Sequence, residues 1–193
     1  GTFSILNNIG ALKEIGKNFL YKCTGLTRLS FQNRTGLTSI GTYFCDYCSG
    51  LTAIDFPASI SMSKINDYFL EGCSKLTSIE LTWTNITALG DYLFNKCTGL
   101  TYFLFNCYAT KIGAYFLANC TQSFDIHFEY WHSLNDWNSG FLQNHTNQRV
   151  RFYVGMKTPY NATMEQIASS GTSGYTIGFL YVNQWSYVSR WED

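Results

Sequence analysis

The sequence predicts a solenoid: short parallel strands and short helical turns wound into about five to six stacked coils, closed at the C-terminal end by an α/β segment. Two observations carry this. One is a motif that recurs at nearly constant spacing, the signature of coils that cannot close a core alone and must stack. The other is a switch inside each copy from apolar residues four apart to apolar residues two apart, the helix period and then the strand period. The composition agrees. Of 193 residues, 46% are hydrophobic and 18% aromatic, ample for a core, while only 13% are charged. The 13 Lys and Arg offset 13 Asp and Glu, so there is no basic excess to displace the counterions of a nucleic acid. No apolar run approaches the roughly 18 to 20 residues of a membrane helix. No charged start followed by an apolar stretch marks a secretory leader, and an exported form is expected to have lost one.

The motif begins at Ile15, Ile40, Ile65, Leu89 and Ile112, at steps of 25, 25, 24 and 23 residues. The first copy reads Ile15-Gly16, Phe19-Leu20, Cys23, Leu26-Thr27, Leu29 and Phe31; the second reads Ile40-Gly41, Phe44-Cys45, Cys48, Leu51-Thr52, Ile54 and Phe56. The third and fourth continue through Cys73, Leu76-Thr77, Ile79 and Leu81, then Cys97, Leu100-Thr101, Phe103 and Phe105. The fifth keeps Phe116-Leu117, Cys120, Ile126 and Phe128, with Ser123 in the leucine column. A decayed sixth has Trp137, Phe141-Leu142 and His145 at the matching places. One more apolar column precedes each copy: Leu12, Leu37, Met62, Ile86, Ala109 and Leu134.

Each column has a mechanical reading. Ile15, Phe19 and Cys23 are four apart and predict a short helical turn with one buried stripe. Leu29 and Phe31 alternate with polar residues and predict a strand whose outward residues are Arg28, Ser30 and Gln32.

The phrase IGxxFLxxCxxLTxI resembles the BspA-like leucine-rich repeats, a cysteine-containing type found mainly on secreted and surface proteins of bacteria and of some mucosal protozoa. The resemblance covers about residues 12 to 153. It departs at the strand exit, where the family's usual proline stands only as Pro57. The resemblance implies a right-handed leucine-rich repeat solenoid used for adhesion or protein binding, without enzymatic activity or cofactor. It divides the chain into 1–11, a partial coil or N-terminal cap; 12–153, the array; and 154–193, a capping segment.

Several residues invite other chemistry. Cys45-Asp46-Tyr47-Cys48 alone is a redox or metal half-site, but aligned, Cys48 is the ladder cysteine and Cys45 stands in the column of Leu20, Leu70 and Leu117. Both are expected in the core. Cys23, Cys48, Cys73, Cys97 and Cys120 form a ladder of five of the seven cysteines; five rungs cannot all pair, so reduced thiols are expected, with Cys107 outside the pattern. His127, His132 and His145, near Asp125, Glu129 and Asp136, suggest a metal site, yet His127 and His132 fall on opposite faces of an extended segment. No metal is expected there. Asn33, Asn85, Asn119, Asn144 and Asn161 each open an Asn-x-Thr triplet, a weak excess over chance. Phosphate-cradle, nucleophile-elbow, HExxH and paired-carboxylate motifs are absent from the chain.

Recognition, if it exists, belongs on the outward strand columns: Arg28, Ala53, Ser78, Tyr102 and Asp125; Ser30, Asp55, Glu80, Leu104 and His127; Gln32, Pro57, Thr82, Asn106 and Glu129. These change type from copy to copy while the inward columns do not. The candidate ligand-binding residues are Arg28, Asp55, Glu80, Tyr102, Leu104, Asp125, His127 and Glu129, with Asp55 and Glu80 expected one strand spacing apart as a small acidic spot. Past the array, Val150 to Val154 reads as a strand, Thr158-Pro159 starts a helix running to Gly171, residues 175 to 182 form a second strand, and Trp185, Val188 and Trp191 suggest a final short helix. The expected molecule is a monomeric, non-catalytic module of a secreted or surface protein. Its partner is expected to be a host, neighbouring-cell or matrix protein. A structural spacer with no ligand of its own is the alternative.

Overall fold

The computed structural model describes residues 1–4, 12–31, 36–56, 60–83, 85–105, 107–128, 136–137, 140–144, 149–155, 176–183 and 186–190. Among them are fifteen strands and no helix. The longer strands stack along one face: β1 (Thr2–Ser4), β3 (Arg28–Ser30), β5 (Ala53–Asp55), β7 (Ser78–Leu81), β9 (Tyr102–Phe105), β11 (Phe124–Phe128), β13 (Arg149–Gly155) and β14 (Thr176–Asn183). The two-residue strands β2 (Glu14–Ile15), β4 (Ser39–Ile40), β6 (Lys64–Ile65), β8 (Ala88–Leu89), β10 (Lys111–Ile112) and β12 (Asp136–Trp137) make a second face. All are parallel to their neighbours. Register follows the repeat, pairing Leu29 with Ile54 and Ile79 with Phe103 and then Ile126, so like columns lie side by side. The decayed sixth copy keeps its place, since β12 pairs with β10 and Phe141 stacks on Phe116 at 5.3 Å.

The core between the faces is made of the motif's inward columns. Leu26, Leu51, Leu76 and Leu100 are buried, as are Phe44, Phe69, Phe94 and Phe116, each ring stabilising the fold by about 2–3 kcal/mol through removal from water. The cysteine column has a further reason. Leu20, Cys45, Leu70 and Phe94 turn their carbonyls into the core, and each accepts the amide of the cysteine three residues on. The thiol of the next copy then donates to the same oxygen: Cys48 to Leu20 at 3.0 Å, Cys73 to Cys45 at 3.3 Å, Cys97 to Leu70 at 3.2 Å and Cys120 to Phe94 at 3.4 Å. Cysteine is a small apolar side chain that carries a weak donor, which is what this column demands. All seven cysteines are free.

Two expectations are corrected. The expected helical turn is a flat ridge instead: Ile15 ends β2, and residues 17–22 run in turns with Asn18, Leu20 and Lys22 at φ of 62°, 56° and 56°. The same two columns have positive φ in every copy, at Tyr43 and Tyr47, Tyr68 and Gly72, Tyr92 and Lys96, Tyr115 and Asn119, and Gly140 and Asn144. Their amides bond the next coil (Asn18 N–H to Thr42, Lys22 to Asp46, Tyr47 to Glu71, Lys96 to Ala118) where an α-helix bonds within itself. Neighbouring coils compete for these amides and win. The second correction is at the C-terminus, where the expected last helix is the strand β15 (Ser186–Arg190), antiparallel to β14. Two residues separate those strands, enough for a hairpin but not for a parallel crossover. The expected helix from Thr158 to Gly171 lies outside the described residues, whereas both expected strands beyond the array are present as β13 and β14.

Both faces are interrupted at one level. β5 does not pair with β7, nor β4 with β6, so the sheets on the two sides break between the second and third copies. The ridge stays continuous there, through Tyr43 N–H to Asp67 and Tyr47 N–H to Glu71.

Candidate functional site

On the long face, Leu29, Ile79, Leu81, Phe103 and Phe105 are buried, so the alternate residues point outward as the strand period requires. The register sets them in rows. Ser78, Tyr102 and Asp125 lie side by side, and Glu80, Leu104 and His127 form the next row. On the other side of the interruption, Arg28 pairs in register with Ala53 and Ser30 with Asp55. Tyr102, Leu104 and Asp125 are half-buried and Glu80 exposed. The backbone of His127 is in β11, but its side chain, Glu129, His132 and His145 lie outside the described residues.

The expected acidic spot does not form. The Arg28 guanidinium holds Asp55 with two hydrogen bonds of 2.8 Å and 2.6 Å. An exposed pair of this kind contributes at most about 1 kcal/mol, yet it neutralises Asp55 and fixes its direction. Glu80 is across the break, with no strand pairing to bring it beside Asp55. Between them is a cleft of about 270 Å³ lined by Thr52, Ala53, Ile54, Phe56, Ser78, Ile79, Glu80 and Thr82. One lining residue is aromatic: Phe56 stacks toward Phe31 and Phe69 at 5.7 Å and 6.0 Å and meets the edge of Trp83 at 4.8 Å.

A second polar grouping lies on the ridge. Buried Glu71 accepts hydrogen bonds from Asn95 Nδ2 at 2.9 Å, Lys96 Nζ at 3.1 Å and the Tyr47 hydroxyl at 3.2 Å. Asp46, one copy earlier in the same column, is buried and its Oδ1 has no partner. Burial first, and then the neighbouring Glu71 carboxylate, push its carboxyl up to about 7. Beside these runs a stack of tyrosines, Tyr43, Tyr68, Tyr92 and Tyr115, with ring centroids 4.6, 4.9 and 4.8 Å apart.

Cys45 and Cys48 are buried; burial holds the Cys45 thiol well above its ordinary range, while the hydrogen bond with Cys45 lowers Cys48. Among the described residues no group of three His, Cys, Asp or Glu is placed to hold a metal ion. The outward rows expected from the sequence are in register on each side of the interruption but not across it, and the sequence reading missed three things: the cleft, the tyrosine stack and the Asp46–Glu71 neighbourhood. The stack had a signal, a tyrosine three residues after the isoleucine column in four successive copies.

A family model for the BspA type leucine-rich repeat region matches residues 6–148 in six copies. No curated protein and no solved structure matches the chain.

Proposed function

Since the chain belongs to the BspA-type leucine-rich repeat family, we propose that it is a non-catalytic protein-binding or adhesion module of a secreted or cell-surface protein, engaging its partner through the outward residues of the long-strand face. Repeats of this type generally serve in surface adhesion or protein binding and are typically non-catalytic. No described helix is long and apolar enough to cross a membrane. The observation that supports the reading best is the contrast within each strand. Inward positions repeat Leu, Ile and Phe, whereas the outward rows Ser78, Tyr102, Asp125 and Glu80, Leu104 repeat nothing. Packing dictates the first set and leaves the second to recognition. Half-buried Tyr102 and Leu104 beside exposed Glu80 give that surface an amphipathic centre with a charged rim, the composition favoured at protein interfaces. Residues 154–193 are read as the segment that covers the array's last coil.

The test begins with an array of extracellular matrix and cell-surface proteins, probed with the chain. The triple variant Asp55→Ala/Glu80→Ala/Tyr102→Ala is expected to weaken the captured partner at least tenfold while remaining folded, its melting temperature lowered by the loss of the exposed ion pair and of the half-buried Tyr102 side chain. If every captured partner binds the triple variant as well as the parent chain, the strand face is not the recognition surface.

A further inference from the structure

We propose that the break between the second and third copies is a peptide slot, in which an extended segment of a protein partner inserts between β5 and β7 with a basic residue set against Glu80. This rests on the strand-face reading above; it names the place on that face and the chemistry of the occupant.

The break has a cause in two glycine columns. Gly41, Gly90 and Gly113 lie so close to the preceding coil that a Cβ at Gly41 would fall 2.6 Å from the Lys17 amide nitrogen, and one at Gly90 the same distance from that of Asp67. A Cβ at Gly113 would meet the Gly90 backbone, and at the second column a Cβ at Gly99 would fall 2.5 Å from the Ser74 carbonyl. From the second copy to the fifth, the third alone replaces both glycines, with Asn66 and Lys75. The fifth replaces one, with Gln122, and its sheet stays paired. Two side chains prop the third coil off the second where one does not. Asn66 also supplies the missing bond: Gly41, Gly90 and Gly113 donate their amides to the isoleucine-column carbonyl of the preceding coil, whereas Asn66 reaches Ile40 O with its side-chain Nδ2 at 2.7 Å. The separation is thus built into the sequence and stabilised.

What it exposes is two strand edges. Residues of a parallel strand bond alternately to the neighbour on either side. The Asp55 carbonyl accepts from Phe31 N–H on the β3 side, so Ile54 turns its amide and carbonyl toward β7. The Thr77 carbonyl accepts from Thr101 N–H, so Ser78 and Glu80 turn theirs toward β5. The Cα atoms of β5 and β7 are mostly more than 8 Å apart. A strand added between them needs two spacings, about 9.6 Å, and would satisfy both edges at once. Ile54, Phe56 and Ile79 give the cleft lining an apolar part against which one apolar side chain of the segment would pack, beside Thr52, Ser78 and Thr82. At the rim Asp55 is already neutralised by Arg28, while exposed Glu80 makes no hydrogen bond or ion pair among the described residues. Charge complementarity therefore calls for lysine or arginine in the inserted segment.

The probes are an acetylated, amidated five-residue peptide of alternating valine and lysine, its glutamate analogue, and a copy of the lysine peptide N-methylated at alternate backbone amides. Titration calorimetry is expected to show the lysine peptide binding, with the glutamate and N-methylated forms about tenfold weaker or worse. Glu80→Lys is expected to reverse the preference between lysine and glutamate. In the double variant Asn66→Gly/Lys75→Gly the third coil settles on the second, so peptide binding is lost and the amides of Ile54 and Glu80 exchange with solvent more slowly. The slot is overturned if none of the peptides binds, if N-methylation makes no difference, or if the double variant closes by exchange and still binds. Failure here with partner binding still lost in the triple variant removes the slot and leaves the strand face. Success here with a partner indifferent to the triple variant, which lacks Glu80, leaves a slot for basic peptides but overturns both the strand face and the slot as the place where that partner docks.

Discussion

Asp46 is the residue whose chemistry most constrains the working conditions. Its carboxyl is buried, has an oxygen without a partner, and faces Glu71 across one coil spacing, with Lys22 and Lys96 as the attractive charges; Lys96 is engaged by Glu71 and Tyr47. Because folding raises its pKa to about 7, the folded state holds a proton that the unfolded state releases near the ordinary carboxylate value. Stability from this group is present at about pH 4 and is lost as the pH rises through about 7, by on the order of 2–4 kcal/mol. Denaturant titrations at several pH values should show that fall. Asp46→Asn should match the parent at the acid end, exceed it at the alkaline end, and flatten the slope; an unchanged slope would mean that the carboxylate ionises without cost. The cysteines make a second residue-level prediction. Burial pushes Cys107 and Cys120 up to about 12 and Cys73 and Cys97 well above their ordinary range, so thiolate is scarce where access is also denied. Alkylation of the native protein at about pH 8 should modify at most the half-buried Cys23, and all seven cysteines once it is unfolded. Rapid native labelling of Cys45 or Cys48 would restore the redox reading of that pair.

The ridge and the strands differ in how far they could be read from sequence, for a physical reason. In a strand, burial and period coincide: Leu29 and Phe31 are buried, Arg28 and Ser30 are not, and the alternation is the fold. On the ridge, the four-residue spacing of Ile15, Phe19 and Cys23 reports that all three face one core, not that the backbone between them is helical. The real determinant is backbone hand. It was written in the two columns where Asn18, Gly140, Gly72, Asn119 and Asn144 stand, residues that enter the left-handed region at least cost. Tyr43, Tyr68, Tyr92 and Tyr115 masked that signal, since a bulky residue at positive φ is unusual. Each such residue costs about 1–2 kcal/mol of backbone strain, which inter-coil amide bonds and the stacked rings at 4.6–4.9 Å offset. The candidate site divides the same way. Its outward rows follow from the strand period, whereas the cleft depends on Asn66 and Lys75 jointly leaving glycine columns, a departure that acquires meaning only once the distance between coils is known.

At the scale of the whole array, stability is a sum of coil terms and interfaces between nearest neighbours. The second and third copies meet at an interface without sheet hydrogen bonds on either face. The contacts that remain there include the ridge bonds (Tyr43 N–H to Asp67 and Tyr47 N–H to Glu71), Ser61 N–H to Leu37 O, the side-chain bonds from Asn66 to Ile40 O, Cys73 to Cys45 O and Tyr47 to Glu71, and the stacks of Phe44 on Phe69 and Tyr43 on Tyr68 at 4.9 Å and 4.6 Å. With each backbone bond contributing about 1 kcal/mol net, this interface is weaker than its neighbours by about 2–4 kcal/mol. An array with one weak joint opens there before it opens elsewhere. Native-state hydrogen exchange in rising denaturant should therefore resolve two units, the amides of β3 and β4 losing protection at lower denaturant than those of β8, β9 and β10. Asn66→Gly/Lys75→Gly, which lets the coils close, should merge the two into one transition. A single opening free energy shared by all these strands in the parent chain would show that the hydrogen bonds and aromatic stacks remaining across the joint carry the coupling, and that the break in the sheets costs the array nothing in cooperativity.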